Sequence, residues 1–172
     1  VPTIQLHCAS NAKEYLLGEP VFIRLELQNH GTIEQSLRLH GGWRLRDSHW
    51  YLEVAKEGER FSRVELNRVQ TEEVPVGGVL LAPGESLVDY IVLWFRAYGN
   101  TRKERALVFA EPGKYNYRIT LVALPFQVPR DGSALKFVCK GTITVRLPDD
   151  RFRGACKNLT KGLKTILGDY SY

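Results

Sequence analysis

Residues Glu111-Pro112-Gly113-Lys114-Tyr115-Asn116-Tyr117 run straight into Arg118-Ile119-Thr120-Leu121-Val122-Ala123-Leu124, and no other stretch restricts the fold as much. Pro-Gly is turn chemistry. The residues after it alternate aromatic, polar and β-branched types, the period-two pattern of a strand. A strand this long needs partners, so the rest of the chain must supply a sheet.

It does. Val21, Ile23, Leu25 and Leu27 fall on one face of Val21–Leu27, with Arg24 and Glu26 on the other, after the turn Gly18-Glu19-Pro20. Strands are also expected over residues 1–7, 33–39 and 107–110. Trp50–Ala55 and Arg60–Val64 flank Lys56-Glu57-Gly58-Glu59, which fits a hairpin with a short glycine turn. Leu87, Ile91, Leu93 and Phe95 share a face with Asp89 while Tyr90 and Trp94 point the other way, so 87–95 is expected to be a central strand. The last strand, 135–147, contains Gly141, where a bulge or bend is expected. Residues 70–78, with acids, Pro75 and Gly77-Gly78, look the most loop-like. About nine strands, with no helix before Pro148, predict an all-β fold: an antiparallel β-sandwich with Greek-key interleaving. One domain, residues 1–148, is expected, because 172 residues suit one well-buried core.

Residues 149–172 differ. Leu159, Leu163, Ile166 and Leu167 form a helical stripe with Lys157, Lys161 and Lys164 outside it. A short amphipathic helical tail is expected, packing back on the sandwich. A basic face on an anionic membrane surface or a partner is the alternative.

At Glu111-x-Gly113-x-Tyr115-x-Tyr117 the chain resembles the tyrosine corner of immunoglobulin-like domains, in which a Tyr hydroxyl returns to backbone a few residues upstream. Tyr115 matches the corner Tyr. Tyr117 falls where antibody domains carry their second core Cys, and Ile23 and Leu25 occupy the strand that would carry the first, so the resemblance is to disulfide-free relatives. Gly18-Glu19-Pro20-Val21, Asn29-x-Gly31 and Pro83-Gly84-Glu85-Ser86 resemble bacterial extracytoplasmic sandwich modules and the BsuPI-type proteinase-inhibitor family. That resemblance implies a binding or inhibitory module.

Chemistry-bearing motifs are scarce. There is no G-x-S-x-G, phosphate loop or G-x-G-x-x-G, and no residues pair a nucleophile with a base at a readable spacing, so neither an enzyme nor a cofactor is expected. His7, His30, His40 and His49 lack the spacing that puts two imidazoles on one ion, and no metal site is expected. Three cysteines, Cys8, Cys139 and Cys156, leave at least one unpaired. Cys139 with Cys156 and Cys8 with Cys156 are the candidate bridges, each tying the tail to a strand; three thiols are the alternative. The chain starts at Val1 and contains no Met, which fits a processed chain or an excised piece, and an extracytoplasmic or secreted location is expected. No run reaches the roughly 18 apolar residues of a membrane helix.

Binding residues are expected in loops. Trp43 with Arg44 and Arg46, and Tyr98 with Arg102, Lys103 and Arg105, are the candidates for an aromatic and basic rim, and 125–133 is a third long loop. Trp50 and Trp94, each inside a strand, are expected in the core. A net charge of +5 is spread among acids, so no nucleic-acid partner is expected. A protein partner, reached through sandwich-end loops or an edge strand, is the leading expectation. A carbohydrate stacked on Trp43 and Tyr98, or a protease held by one loop, is the alternative.

Overall fold

The computed structural model describes residues 3–40, 45, 49–65, 76–96, 106–125 and 134–150, and these are strands joined by turns. In chain order the strands are β1 (Ile4–Ser10), β2 (Glu14–Leu16), β3 (Val21–Asn29), β4 (Gln35–His40), β5 (Trp50–Lys56), β6 (Ser62–Val64), β7 (Val76–Leu81), β8 (Ser86–Leu93), β9 (Phe95–Arg96), β10 (Ala106–Leu107), β11 (Gly113–Pro125) and β12 (Leu135–Arg146). One sheet has the order β1-β3-β8 and is antiparallel throughout. The larger sheet runs β2-β12-β11-β4-β7, with β5 on β11 and β6 on β5, while β9 and β10 pair as a short ribbon.

The opening stretch becomes β11, the spine of the larger sheet. It pairs with β12 along eleven residues from Gly113↔Val145 to Ala123↔Leu135. Its other edge holds two strands end to end, with β5 opposite Tyr115–Leu121 and β4 opposite Ala123–Pro125. Residues 41–49 thus separate two strands that share one edge of β11.

The period-two faces meet in the middle. Ile23, Leu25 and Leu27 of β3 are wholly buried, as are Ile119 and Leu121 of β11, and Leu52, Leu93, Ile143 and Val145 join them. Full burial of one such side chain is worth about 1.5–3 kcal/mol, and this shared core holds the two sheets together. Tyr117 lies in it, and burial pushes its phenol pKa above the ordinary value.

Four expectations need correction. The 135–147 strand has no bulge: its register with β11 is unbroken, and Gly141 sits opposite Tyr117. A Cβ on Gly141 would run into the Tyr117 phenol, so the glycine makes room for a ring and bends nothing. Second, Val76–Leu81 is a strand although it holds Gly77-Gly78, because β4 pairs with its backbone, Arg38 with Gly78 and Leu39 with Gly77. Third, β8 is an edge strand of its sheet among the described residues, where a central one was expected. Fourth, the disulfide joins Cys8 to Cys139, with Cα atoms 5.8 Å apart, so Cys139 is not available to Cys156. The reason is packing of β1 alongside β12, which brings together cysteines 131 residues apart and ties one sheet to the other. Cys156 and the rest of 151–172, including the expected helical tail, lie outside the described residues.

One buried polar residue organises the end of the sandwich where β3 finishes. Asn29 is fully buried. Its Nδ2 donates to the carbonyls of Ile33 at 2.8 Å and Leu81 at 2.9 Å, and its Oδ1 accepts from Gly31 N–H at 2.9 Å. Its backbone N–H donates to Glu85 and its carbonyl accepts from Gly84. The side chain thereby closes its own turn and binds it to the turn before β8. A buried amide is tolerated because its partners are met.

Candidate functional site: the outer face of the three-stranded sheet

β3 and β8 bury one face and turn the other outward. On β3 the outward residues are Phe22, Arg24, Glu26 and Gln28; on β8 they are Val88, Tyr90 and Val92, and Trp94 follows directly. Register places Phe22 beside Val92, Arg24 beside Tyr90 and Glu26 beside Val88. An ordinary half-buried strand would be polar here. Instead Phe22 is 41% exposed, Val88 40%, Tyr90 55%, Val92 45% and Trp94 43%. Two aromatics and two valines thus form a stripe along this edge strand, with Phe22 widening it.

The stripe is held in place and bordered by charge. Trp94 donates from its indole N–H to the Gly18 carbonyl at 2.9 Å, and its own carbonyl accepts from Val108 N–H at 2.9 Å. Trp94 is therefore no core residue, contrary to the expectation, because it continues the outward alternation of Val88, Tyr90 and Val92; Trp50, 5% exposed, is one. Arg24 and Glu26 pair at 2.5 Å beside the stripe. The hydrogen bond from Arg24 holds the Glu26 carboxyl below the usual range, with a second hydrogen bond from Ser86 helping.

On the outer face of the larger sheet the aromatics Phe61 and Tyr51 carry arginines instead. Arg63, Glu53, Arg118 and Lys140 form one cross-strand row over β6, β5, β11 and β12. Arg118 grips Glu53 through two hydrogen bonds of 2.7 Å and lies over the Phe61 ring at 4.7 Å, while Arg63 lies 4.7 Å over Tyr51. The two arginines there are engaged with rings and a carboxylate.

The rim residues expected from sequence, Trp43, Arg44, Arg46, Tyr98, Arg102, Lys103 and Arg105, lie outside the described residues. What flanks them is informative. Leu45, between Arg44 and Arg46, is wholly buried. At the end of the 41–49 segment, the His49 carbonyl accepts from Val122 N–H. Phe109, just beyond the 97–105 segment, packs on Tyr115, with ring centroids 5.2 Å apart. Among the described residues no three His, Cys, Asp or Glu side chains converge as a metal site.

Tyr115 donates its hydroxyl to the Glu111 carbonyl at 2.8 Å, four residues upstream. A sheet of β1, β3 and β8 packed on one that contains β5, β11 and β12, with that tyrosine closing the corner, is an immunoglobulin-like β-sandwich. The chain matches no protein-family model and no curated protein. Solved structures of similar shape include a CARDB domain from Pyrococcus furiosus, with 11% identity, TM-score 0.38 and coverage of 83% of this chain and 87% of that one. The sporulation control protein Spo0M of Bacillus subtilis shows 12% identity and a TM-score of 0.43, covering 94% of this chain and 56% of that one. A PapD-like domain of human CEP192 shows 16% identity and a TM-score of 0.35, covering 86% and 87%. This chain thus spans little more than half of Spo0M. Likeness at this level says nothing of partner or activity.

Proposed function

We propose that this chain is a non-catalytic, immunoglobulin-like binding module of Greek-key connectivity that docks a protein partner on the outer face of β3 and β8. The observation that carries the proposal is the exposed apolar stripe of Val88, Tyr90 and Val92, continued by the 43% exposed Trp94 and flanked by Phe22. Trp and Tyr are the side chains that most often dominate protein interfaces, since each buries a large area at small entropic cost. Trp94 has its indole N–H already bonded, so burying it leaves no unmet donor. The partner that fits is a protein surface with an apolar centre and polar groups positioned to meet Arg24 and Glu26.

An extracytoplasmic or secreted setting suits this reading. The Cys8–Cys139 bridge supports it, because disulfides persist in oxidising compartments. Carbohydrate is the second reading. Tyr90 and Trp94, exposed four residues apart along one strand face, favour it over a protease inhibitor that presents a single loop.

A photoreactive residue at position 92, against the same residue at Thr142 on the larger sheet, separates these readings in extract of the source cells. Capture of one protein from position 92 alone is expected. Equal capture from both positions, or none from 92 alongside binding on a glycan array, would overturn the protein-partner reading.

A further inference from the structure

We propose that His7 and His30 together bind one divalent transition-metal ion of the zinc type through their Nε2 atoms. The two residues are 23 apart in sequence, His7 on β1 and His30 just past the end of β3, and both are exposed. Their Nε2 atoms lie 3.5 Å apart, with ring centroids 5.8 Å apart and ring planes at 82°. That separation is long for a hydrogen bond, for which about 2.7–3.2 Å is usual. The rings meet head-on, since 5.8 Å between centroids is the full reach of two imidazoles whose Nε2 atoms are 3.5 Å apart. With metal–nitrogen bonds of about 2.0–2.1 Å a tetrahedral angle places two ligand nitrogens about 3.3–3.4 Å apart, so an ion is shared once each exposed ring swings by roughly 30° to aim its lone pair at it.

The frame beneath the pair is rigid. His7 immediately precedes Cys8, which is bridged to Cys139. His30 immediately follows Asn29, the fully buried amide that closes its own turn, and its N–H donates to the Thr3 carbonyl at 2.7 Å. Neither backbone segment needs to be ordered when the ion binds, which removes part of the usual entropic cost. Glu26 is in register with His7, but its carboxylate is held by Arg24 at 2.5 Å, so the ligand set is two imidazoles completed by water. Neutral imidazole favours Zn²⁺, Cu²⁺ and Ni²⁺ over Mg²⁺ or Ca²⁺.

The test is titration of the full oxidised chain, its free thiols alkylated, with Zn²⁺ by calorimetry, and with Co²⁺ by absorbance. Expected is one saturable site of micromolar affinity, weakened more than about tenfold by His7→Gln and equally by His30→Gln, and unchanged by His49→Gln. Zn²⁺ should raise the melting temperature of the parent chain and leave those of the first two variants unmoved. Absence of saturable binding below millimolar Zn²⁺, or loss of affinity in one of the two variants only, overturns the pair. Melting of each variant without metal confirms that a loss is not unfolding.

Discussion

Gly141→Ala has a sign that the structure decides. Gly141 is not among the residues with positive φ, so its backbone suits any residue. On backbone grounds alone, replacing glycine at such a position stabilises by about 0.4–1 kcal/mol, because the unfolded chain loses freedom. Packing says the opposite. An added Cβ would fall on the oxygen and Cζ of Tyr117 and 2.8 Å from its Cε1, well inside the roughly 3.5–4.0 Å at which carbon atoms rest. Tyr117 is 1% exposed, among Ile119, Ile143 and Val145, and has no free space to retreat into. Overpacking of this kind costs about 1–3 kcal/mol, which exceeds the gain. Gly141→Ala should therefore lower the unfolding free energy by the difference, about 0.5–2 kcal/mol, read as a lower urea midpoint with an unchanged slope. Removing the ring should remove the conflict: in a Tyr117→Val background the cost of Gly141→Ala should shrink below about 0.5 kcal/mol, a coupling of about 1 kcal/mol or more. Tyr117→Phe should give little relief, since Cζ remains. A Gly141→Ala protein as stable as the parent, or more so, refutes the account of why β12 carries a glycine.

Other outcomes follow from single contacts. Tyr115→Phe deletes the hydroxyl that donates to the Glu111 carbonyl and should cost about 0.5–1.5 kcal/mol in chemical denaturation. Reducing the Cys8–Cys139 bridge reopens a loop of 131 residues, for which chain entropy sets a limit near about 5 kcal/mol and common experience gives about 2–4; thermal melting with and without reductant measures it. The Glu53 carboxyl is held below the usual range chiefly by its hydrogen bonds from Arg118. A depressed carboxyl pKa stabilises the fold above the ordinary carboxylate value and loses that effect as pH falls through the folded value. Melting temperature should hence drop more steeply in the parent than in Glu53→Gln between about pH 5 and pH 3, the two curves converging at the acid end.

What the sequence revealed is what local pattern can carry. Alternation in Val21–Leu27 assigns the inward residues of β3 correctly, and the Lys56–Glu59 turn marks the β5–β6 hairpin. Tyr115 was legible because a turn glycine two residues earlier fixes where the strand begins. The misses are all non-local. Alternation shows that both faces of β8 are apolar, but whether its outer face is covered depends on which strands come to lie beside it. Gly77-Gly78 carries no side-chain pattern, yet a strand needs only a backbone partner, and β4 provides one. Glycine at 141 signals a bend until Tyr117 is known to lie opposite. Cys8 with Cys139, and His7 with His30, meet only after β1 has packed beside β12 and paired with β3, which no spacing rule anticipates.

The claim that the outer face of β3 and β8 is the docking surface stands on Val92 and its neighbours, and the most direct measurement is affinity for the protein captured at that position. Val92→Glu puts a charge in the middle of the stripe without touching the core, and Thr142→Glu puts the same charge on the exposed face of the other sheet. The account predicts at least a tenfold loss for Val92→Glu, about 1.4 kcal/mol or more, and less than a twofold change for Thr142→Glu. Equal affinities for the two variants would contradict it.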